Sequence, residues 1–332
     1  MRSPVPARYA VLVIALAEMF GTSLWFSVNA VGDALRTAWS LQTEDLGHLT
    51  SAIQFGFICG TFGFAFSGLA DRFSASRVFA VCAVLGALSN LGFATSHGDL
   101  LPALLWRFVT GVMLAGIYPI GMKLVISWQP DRAGEMLGWL VGMLVLGTGL
   151  PQLVRASGLA SDWQSVFLAA SGLSLLAAIM VALLGDGPHH AVRRSLRLGA
   201  VMQSFRRPVF RAAALGYFGH MWELYTVWAF IPLLLSHYAH TSNRALNVSG
   251  WSFVVIAIGS LGCIIGGLLS KKFGIAKVAF FQLLSSGICC LLTPHLINTC
   301  SLFQSGPNSI TPPARLETCF SVSAQNKIGD RT

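Results

Sequence analysis

Ser67 to Val78 reads S-G-L-A-D-R-F-S-A-S-R-V, a charged knot set between two long apolar runs. Two hundred positions later, Gly267 to Val278 reads G-L-L-S-K-K-F-G-I-A-K-V in the same setting. The phase is kept: Leu69 aligns with Leu269, Arg72 with Lys272, Phe73 with Phe273, Arg77 with Lys277 and Val78 with Val278. A short basic turn that recurs at the same place in two sets of apolar spans is the trace of a parallel repeat, one architecture of secondary transporters.

Composition agrees. The chain has 332 residues, of which 54% are hydrophobic and only 11% charged, whereas about a quarter of a soluble domain is charged. Its environment is therefore the lipid bilayer. The net charge of +9 would indicate nucleic acid only if gathered on one solvated module, and the sequence holds no such module. Seven cysteines occur without a C-x-x-C pair, and those inside apolar runs read as small hydrophobes. His189-His190 has no third ligand nearby in sequence and reads as linker. No metal and no cofactor are expected.

Working outward from the two turns, runs long enough to cross about 30 Å of hydrocarbon fall at 9–31, 46–69, 78–96, 100–126, 134–157, 163–184, 209–236, 249–270 and 276–298. These nine spans predict an all-α polytopic membrane protein. Sorted by alternate loops, fourteen Lys and Arg lie on one side and only Arg36, Arg155 and Arg244 on the other. That asymmetry places the amino terminus in the cytoplasm. The expected divisions are a six-span bundle over 1–184, a basic cytoplasmic linker over 185–208, three further spans over 209–298, and a polar tail over 299–332 that reads as disordered. A second half that mirrors the first requires six spans, so the expectation is a chain truncated or shifted in frame near Leu292 to Thr299.

With the repeat, the six-span half and the central basic loop in hand, the chain resembles the major facilitator superfamily of transporters. Leu69, Ala70, Asp71, Arg72 and Phe73 are similar to that family's G-x-L-A-D-R-x-G-R-K signature, with Ser67 and Ser74 in place of its glycines and Arg77 one place late. The second copy keeps Gly267 and Gly274 but has Lys271 where the acid stood. Arg107-Phe-Val-Thr-Gly111 resembles the family's R-x-x-x-G motif in the fourth span. The resemblance implies a six-helix amino-terminal bundle with an incomplete three-helix second bundle, rocking about a central site by alternating access. It also implies a gating role for Asp71, Arg72 and Arg77, with Asp71 latching against a helix near an eleventh span that this chain does not contain.

Of the thirteen acidic residues, Glu18 and Glu223 alone lie deep inside spans, Glu135 standing at the first turn of one; at depth an ionisable group costs several kcal/mol unless paired or hydrated. At 1.5 Å rise per residue they lie roughly 14 Å and 18 Å from the inner surface, near the midplane and on equivalent helices of the two halves. His220 is three residues before Glu223 and shares its face, so the pair is fitted to exchange protons near neutral pH. An interior polar tie between helices would read the same way. Arg107, roughly 10 Å deep in the fourth span, reads either as a group that steers a charged solute or as the ion-pair partner of Glu18. Trp25, Trp222 and Tyr225 read as lining for an organic ligand or as packing.

The function these features favour is secondary active transport of a small organic solute, driven by a proton gradient across the cell's inner or plasma membrane. Two alternatives stand beside it. One is an inactive transporter fragment. The other is a membrane-embedded enzyme, which would need a nucleophile elbow or paired metal ligands, and neither G-x-S-x-G nor H-E-x-x-H occurs.

Overall fold

A computed structural model of the chain describes residues 6–158, 162–189 and 203–304, with backbone only for Ala70 and for 293–304. The arginine-rich centre of the expected linker, with His190, Arg193, Arg194 and Arg197, and the tail beyond Gln304 lie outside the described residues. Every element among the described residues is helical. In chain order they are α1 (Ala7–Thr22), α2 (Ser27–Ala30), α3 (Gly32–Trp39), α4 (Thr43–Ser67), α5 (Leu69–Arg72), α6 (Ala75–Ala94), α7 (Leu100–Leu114) and α8 (Tyr118–Trp128). Next come α9 (Ala133–Ala156), α10 (Trp163–Leu184), α11 (Pro208–Thr241), α12 (Val248–Phe273) and α13 (Ile275–Gln304). Residues 1–287 form one compact unit and 288–332 a second; the packing below belongs to the first.

Seven of the nine expected spans appear as helices long and apolar enough to cross a membrane. The first differs because it breaks. Instead of running unbroken over 9–31, α1 stops after 16 residues and the chain resumes as α2 and α3. Side-chain hydroxyls compete with the helix there: Thr22 Oγ1 donates to the Glu18 carbonyl at 2.8 Å and Ser23 Oγ to the Phe20 carbonyl at 2.6 Å, the local bonding that loosens helices. The seventh, α11, is 34 residues long, but Trp222, Glu223, His220 and Tyr225 dilute its apolar character. The fourth span also breaks, between α7 and α8, where Pro119 lacks the N–H that would continue the ladder.

Close contacts between spans rest on small residues, as expected where lipid gives no hydrophobic drive to association. A Cβ on Gly56 would fall 2.0 Å from the Phe108 carbonyl oxygen, and one on Gly111 would fall 2.0 Å from that of Ile53, so α4 and α7 meet backbone to backbone. The seam between α9 and α12 is built the same way. Gly138 faces Gly267, Gly142 faces Ile264 and Gly149 faces Ile256, whereas Gly134, which shares the four-residue spacing, faces nothing within 4 Å. The first span runs through the middle of the amino-terminal helices, with Thr22 Oγ1 reaching the Leu144 carbonyl of α9 and Ser23 Oγ that of Ala170 in α10.

The two repeated turns share a phase but not a conformation. In the first copy the chain reverses at Gly68, φ 64°, and makes the extra helical turn α5. In the second, α12 continues through Phe273 and the reversal falls at Gly274, φ 87°. A left-handed residue is cheap only where glycine stands, and the glycines occupy different positions: Gly68 aligns with Leu268, Gly274 with Ser74.

Candidate functional site

The break in the first span frees backbone carbonyls in the interior, and Arg107 of α7 collects them. Its guanidinium donates to the Trp25 carbonyl at 2.6 Å, the Leu24 carbonyl at 3.3 Å, Ser27 Oγ at 3.1 Å and Asn90 Oδ1 at 3.3 Å. Ser27 and Asn90 are themselves hydrogen-bonded, and Asn90 extends the network to Ser171 on α10. Arg107 is wholly buried. Of the two expected readings, the ion pair with Glu18 is not formed among the described residues: Arg107 braces the broken span through neutral groups.

Glu18, also wholly buried, lies one helical turn before the break. Neither carboxylate oxygen has a hydrogen-bond partner among the described residues. The side chain is pressed onto α8, where a Cβ added to Gly121 would stand 2.1 Å from Oε2. Glycine at 121 therefore makes the room that the carboxyl occupies. Nothing in the first span's own sequence indicates this contact, because it lies with a different helix, α8, beyond the break that follows α7.

Beside the break an aromatic seam joins the first span to α11. Trp25 stacks on Tyr225 with ring centroids 5.6 Å apart and meets Phe57 at a tilt at 4.8 Å, while Phe26 meets Trp228 edge-on at 5.7 Å. The Trp25 indole N–H donates to Gln54 Oε1 at 3.1 Å. Trp25 and Tyr225 are thus brought together in one packed contact. Trp222 is not: 80% of its surface is exposed, on a flank of α11 that no described helix covers.

Glu223 accepts a hydrogen bond from Ser286 Oγ of α13 at 2.6 Å. The imidazole Nδ1 of His220 is buried without a hydrogen-bond partner among the described residues. Among those residues no cluster of three His, Cys, Asp or Glu is placed to hold a metal ion.

At the end of the helices that carries the repeated turns, ion pairs tie neighbouring spans. Asp71 binds Lys123 of α8 at 2.6 Å, so the acid of the first copy is engaged within its own half, while Arg72 and Arg77 are exposed. Glu135, in the first turn of α9, binds Arg132 at 2.5 Å and also Lys271 of α12. Lys271 is the residue that replaces the acid in the second copy. The charge reversal lets the second turn grip α9, across the same seam that Gly138 and Gly267 close. This tie was missed in the sequence, although Lys271 itself was visible as an anomaly of the repeat.

The opposite end opens into a cavity of about 160 Å³ between the first span, α4, α9, α11 and α12. Asn29, Asp33, Thr50, Ser51, Arg155 and Ser249 supply its polar wall and Leu46, Phe230 and Leu233 part of its apolar one. Neither Glu18 nor Arg107 borders it.

The helices, their break points and the seams between them define a polytopic transporter fold. Among solved structures, the chain superposes on a bacterial homologue of the human lysosomal transporter Spinster with a TM-score of 0.63 at 16% identity, covering 82% of this chain and 64% of the other. At that identity the likeness is one of fold. The family model of the Major Facilitator Superfamily matches residues 10–316, and the chain belongs to that superfamily. Membership places it among transporters and not among enzymes.

Three curated relatives carry solute names, two of them naming niacin. The chain is 23% identical to the galacturonate transporter of Dickeya chrysanthemi, over 92% of this chain and 97% of the relative. It is 32% identical to the niacin transporter NiaP of Acinetobacter baylyi, over 40% of this chain and 32% of the relative. It spans about half the length of two further curated relatives, 53% of one and 47% of the other.

Proposed function

We propose that the chain is a proton-coupled secondary transporter of a small organic carboxylate, working by alternating access. The observation that carries this reading is the state of Glu18: an acid wholly buried beside a broken span, with no hydrogen-bond partner among the described residues. Such a group costs several kcal/mol in a bilayer, and intramembrane acids are retained for proton or substrate handling. Glu223, with His220 one turn before it, is the corresponding acid of the second half. Trp25 and Tyr225 join the halves at the break as a packed aromatic contact.

In alternating access the halves 1–184 and 209–298, joined by the linker 185–208, rock against each other. The Lys271 to Glu135 pair and the α9/α12 glycine seam then form the contact that must open, while Asp71 on Lys123 keeps the first turn folded. The asymmetry of Lys and Arg supports an amino terminus in the cytoplasm and a place in the cell's inner membrane. A carboxylate solute is supported by two relatives whose names specify galacturonate and niacin.

The test is uptake of radiolabelled galacturonate and niacin into proteoliposomes containing the purified chain, with a pH gradient imposed in either sense. Gradient-accelerated uptake of one of them is the expected result. No flux with either solute and either gradient would favour the fragment reading.

A further inference from the structure

We infer that the cavity opposite the repeated turns is a binding site for a hydroxylated monocarboxylate of one-ring size, a sugar acid, with Arg155 as the carboxylate anchor. The inference names a substrate class for the transport reading above and rests on it. It concerns a place separate from Glu18: Asn29, on the cavity wall, is eleven residues further along the chain, beyond the break.

Size restricts the ligand first. A cavity of about 150 Å³ takes one benzene ring, so 160 Å³ seats one six-membered ring, with its substituents reaching the wall groups and the open mouth. Chemistry restricts it next. Arg155 sits at the carboxyl-terminal end of α9 and spends one bond on the Ala30 carbonyl through Nη1. Among the described residues no other hydrogen bond or ion pair engages its side chain, so a donor edge of the guanidinium is left for a planar carboxylate, the geometry arginine matches best. The amino-terminal end of α12 borders the same space through Val248 and Ser249. The Gly250 N–H there is capped by Asn247 Oδ1 at 2.9 Å, and those of Val248 and Ser249 have no acceptor within the helix and favour an anion.

The remaining wall asks for donors. Asn29 gives its amide N–H groups to Thr50 Oγ1 at 3.0 Å and to the Ala229 carbonyl at 3.4 Å, which leaves Oδ1 as a buried acceptor with no partner among the described residues. Asp33 presents a carboxylate to the cavity and forms no ion pair with Arg155. Ser51 and Ser249 add hydroxyls. A ligand with one carboxylate for Arg155 and several hydroxyls for Asn29, Asp33 and the serines satisfies this wall. A hydrocarbon acid leaves the Asn29 oxygen unmet, and a dianion meets Asp33.

The test is equilibrium binding to the full purified chain in detergent, with D-glucuronate as probe, D-glucose as its uncharged counterpart and acetate as the carboxylate without hydroxyls. Glucuronate is expected to bind saturably and at least tenfold more tightly than either. Arg155→Gln is expected to weaken glucuronate binding at least tenfold. Asp33→Asn, on an exposed residue whose loss does not threaten the fold, is expected to strengthen it severalfold. The opposite signs separate a charge-reading site from a folding defect.

Equal affinity for glucose and glucuronate, no saturable binding, or no opposite movement of the two variants would overturn the assignment. Binding without coupled uptake in the parent chain would sink the transport reading alone. Coupled uptake with unaltered binding in Arg155→Gln would sink the site alone.

Discussion

Gly121→Ala probes the contact on which the reading of Glu18 depends. The new Cβ would stand 2.1 Å from Glu18 Oε2, about 1.3 Å inside the 3.4 Å at which ordinary contact begins. Glu18 has no open space to retreat into, because it is wholly buried. Overpacking of this kind costs about 1–3 kcal/mol. The same substitution made in a Glu18→Ala background meets no carboxyl, so its cost there is expected to fall below about 0.5 kcal/mol, the level at which independent sites add.

The assay is reversible unfolding of the four proteins in mixed detergent, followed by tryptophan fluorescence and read as a double-mutant cycle. Glu18→Gln, which keeps the size of the side chain, should preserve the full cost of Gly121→Ala. An equal loss with and without the Glu18 side chain would show that the two do not touch, and the packing argument for Glu18 would fail.

Three further predictions follow from the same geometry. Arg107→Met removes a charged donor from four buried acceptors, each such bond being worth about 1.5–3 kcal/mol; with non-additivity, a loss of about 3–5 kcal/mol is expected in the same unfolding assay, and a change below about 1 kcal/mol would contradict the bracing role. Lys271→Glu sets two acids against each other at the α9/α12 seam and should raise the reactivity of Cys263, on that seam, toward a water-soluble maleimide, read by peptide mass; adding Glu135→Lys should return it to the parent level. Trp25→Ala should cost about 3–5 kcal/mol as a buried aromatic, whereas Trp222→Ala, on the uncovered flank of α11, should change stability by less than about 0.5 kcal/mol.

The spans were legible because a bilayer imposes a length and a composition on each crossing, and the repeat was legible because Leu69, Phe73 and Val78 return in phase. What the sequence could not reveal depends on where helices stop inside the membrane. The hydroxyls of Thr22 and Ser23 look unremarkable in a row of apolar residues, yet they accompany the break that supplies Arg107 with its carbonyls. The depth of Arg107 suggested a solute or an acid as partner, since backbone carbonyls are invisible to a side-chain reading. Trp222 and Tyr225 were grouped by proximity in the chain, but the path of α11 puts them in different surroundings. Arg155 was counted only as a loop cation. Its place in a cavity follows from four other spans converging on it.

The transport account stands or falls on coupling. With galacturonate as solute in proteoliposomes and an imposed pH gradient, the account predicts gradient-driven uptake by the parent chain that disappears in both Glu223→Gln and Glu18→Gln, with gradient-independent exchange retained. Gradient-driven uptake of equal rate in all three proteins would contradict it, leaving the fold and family in place and removing the two acids from the proton path.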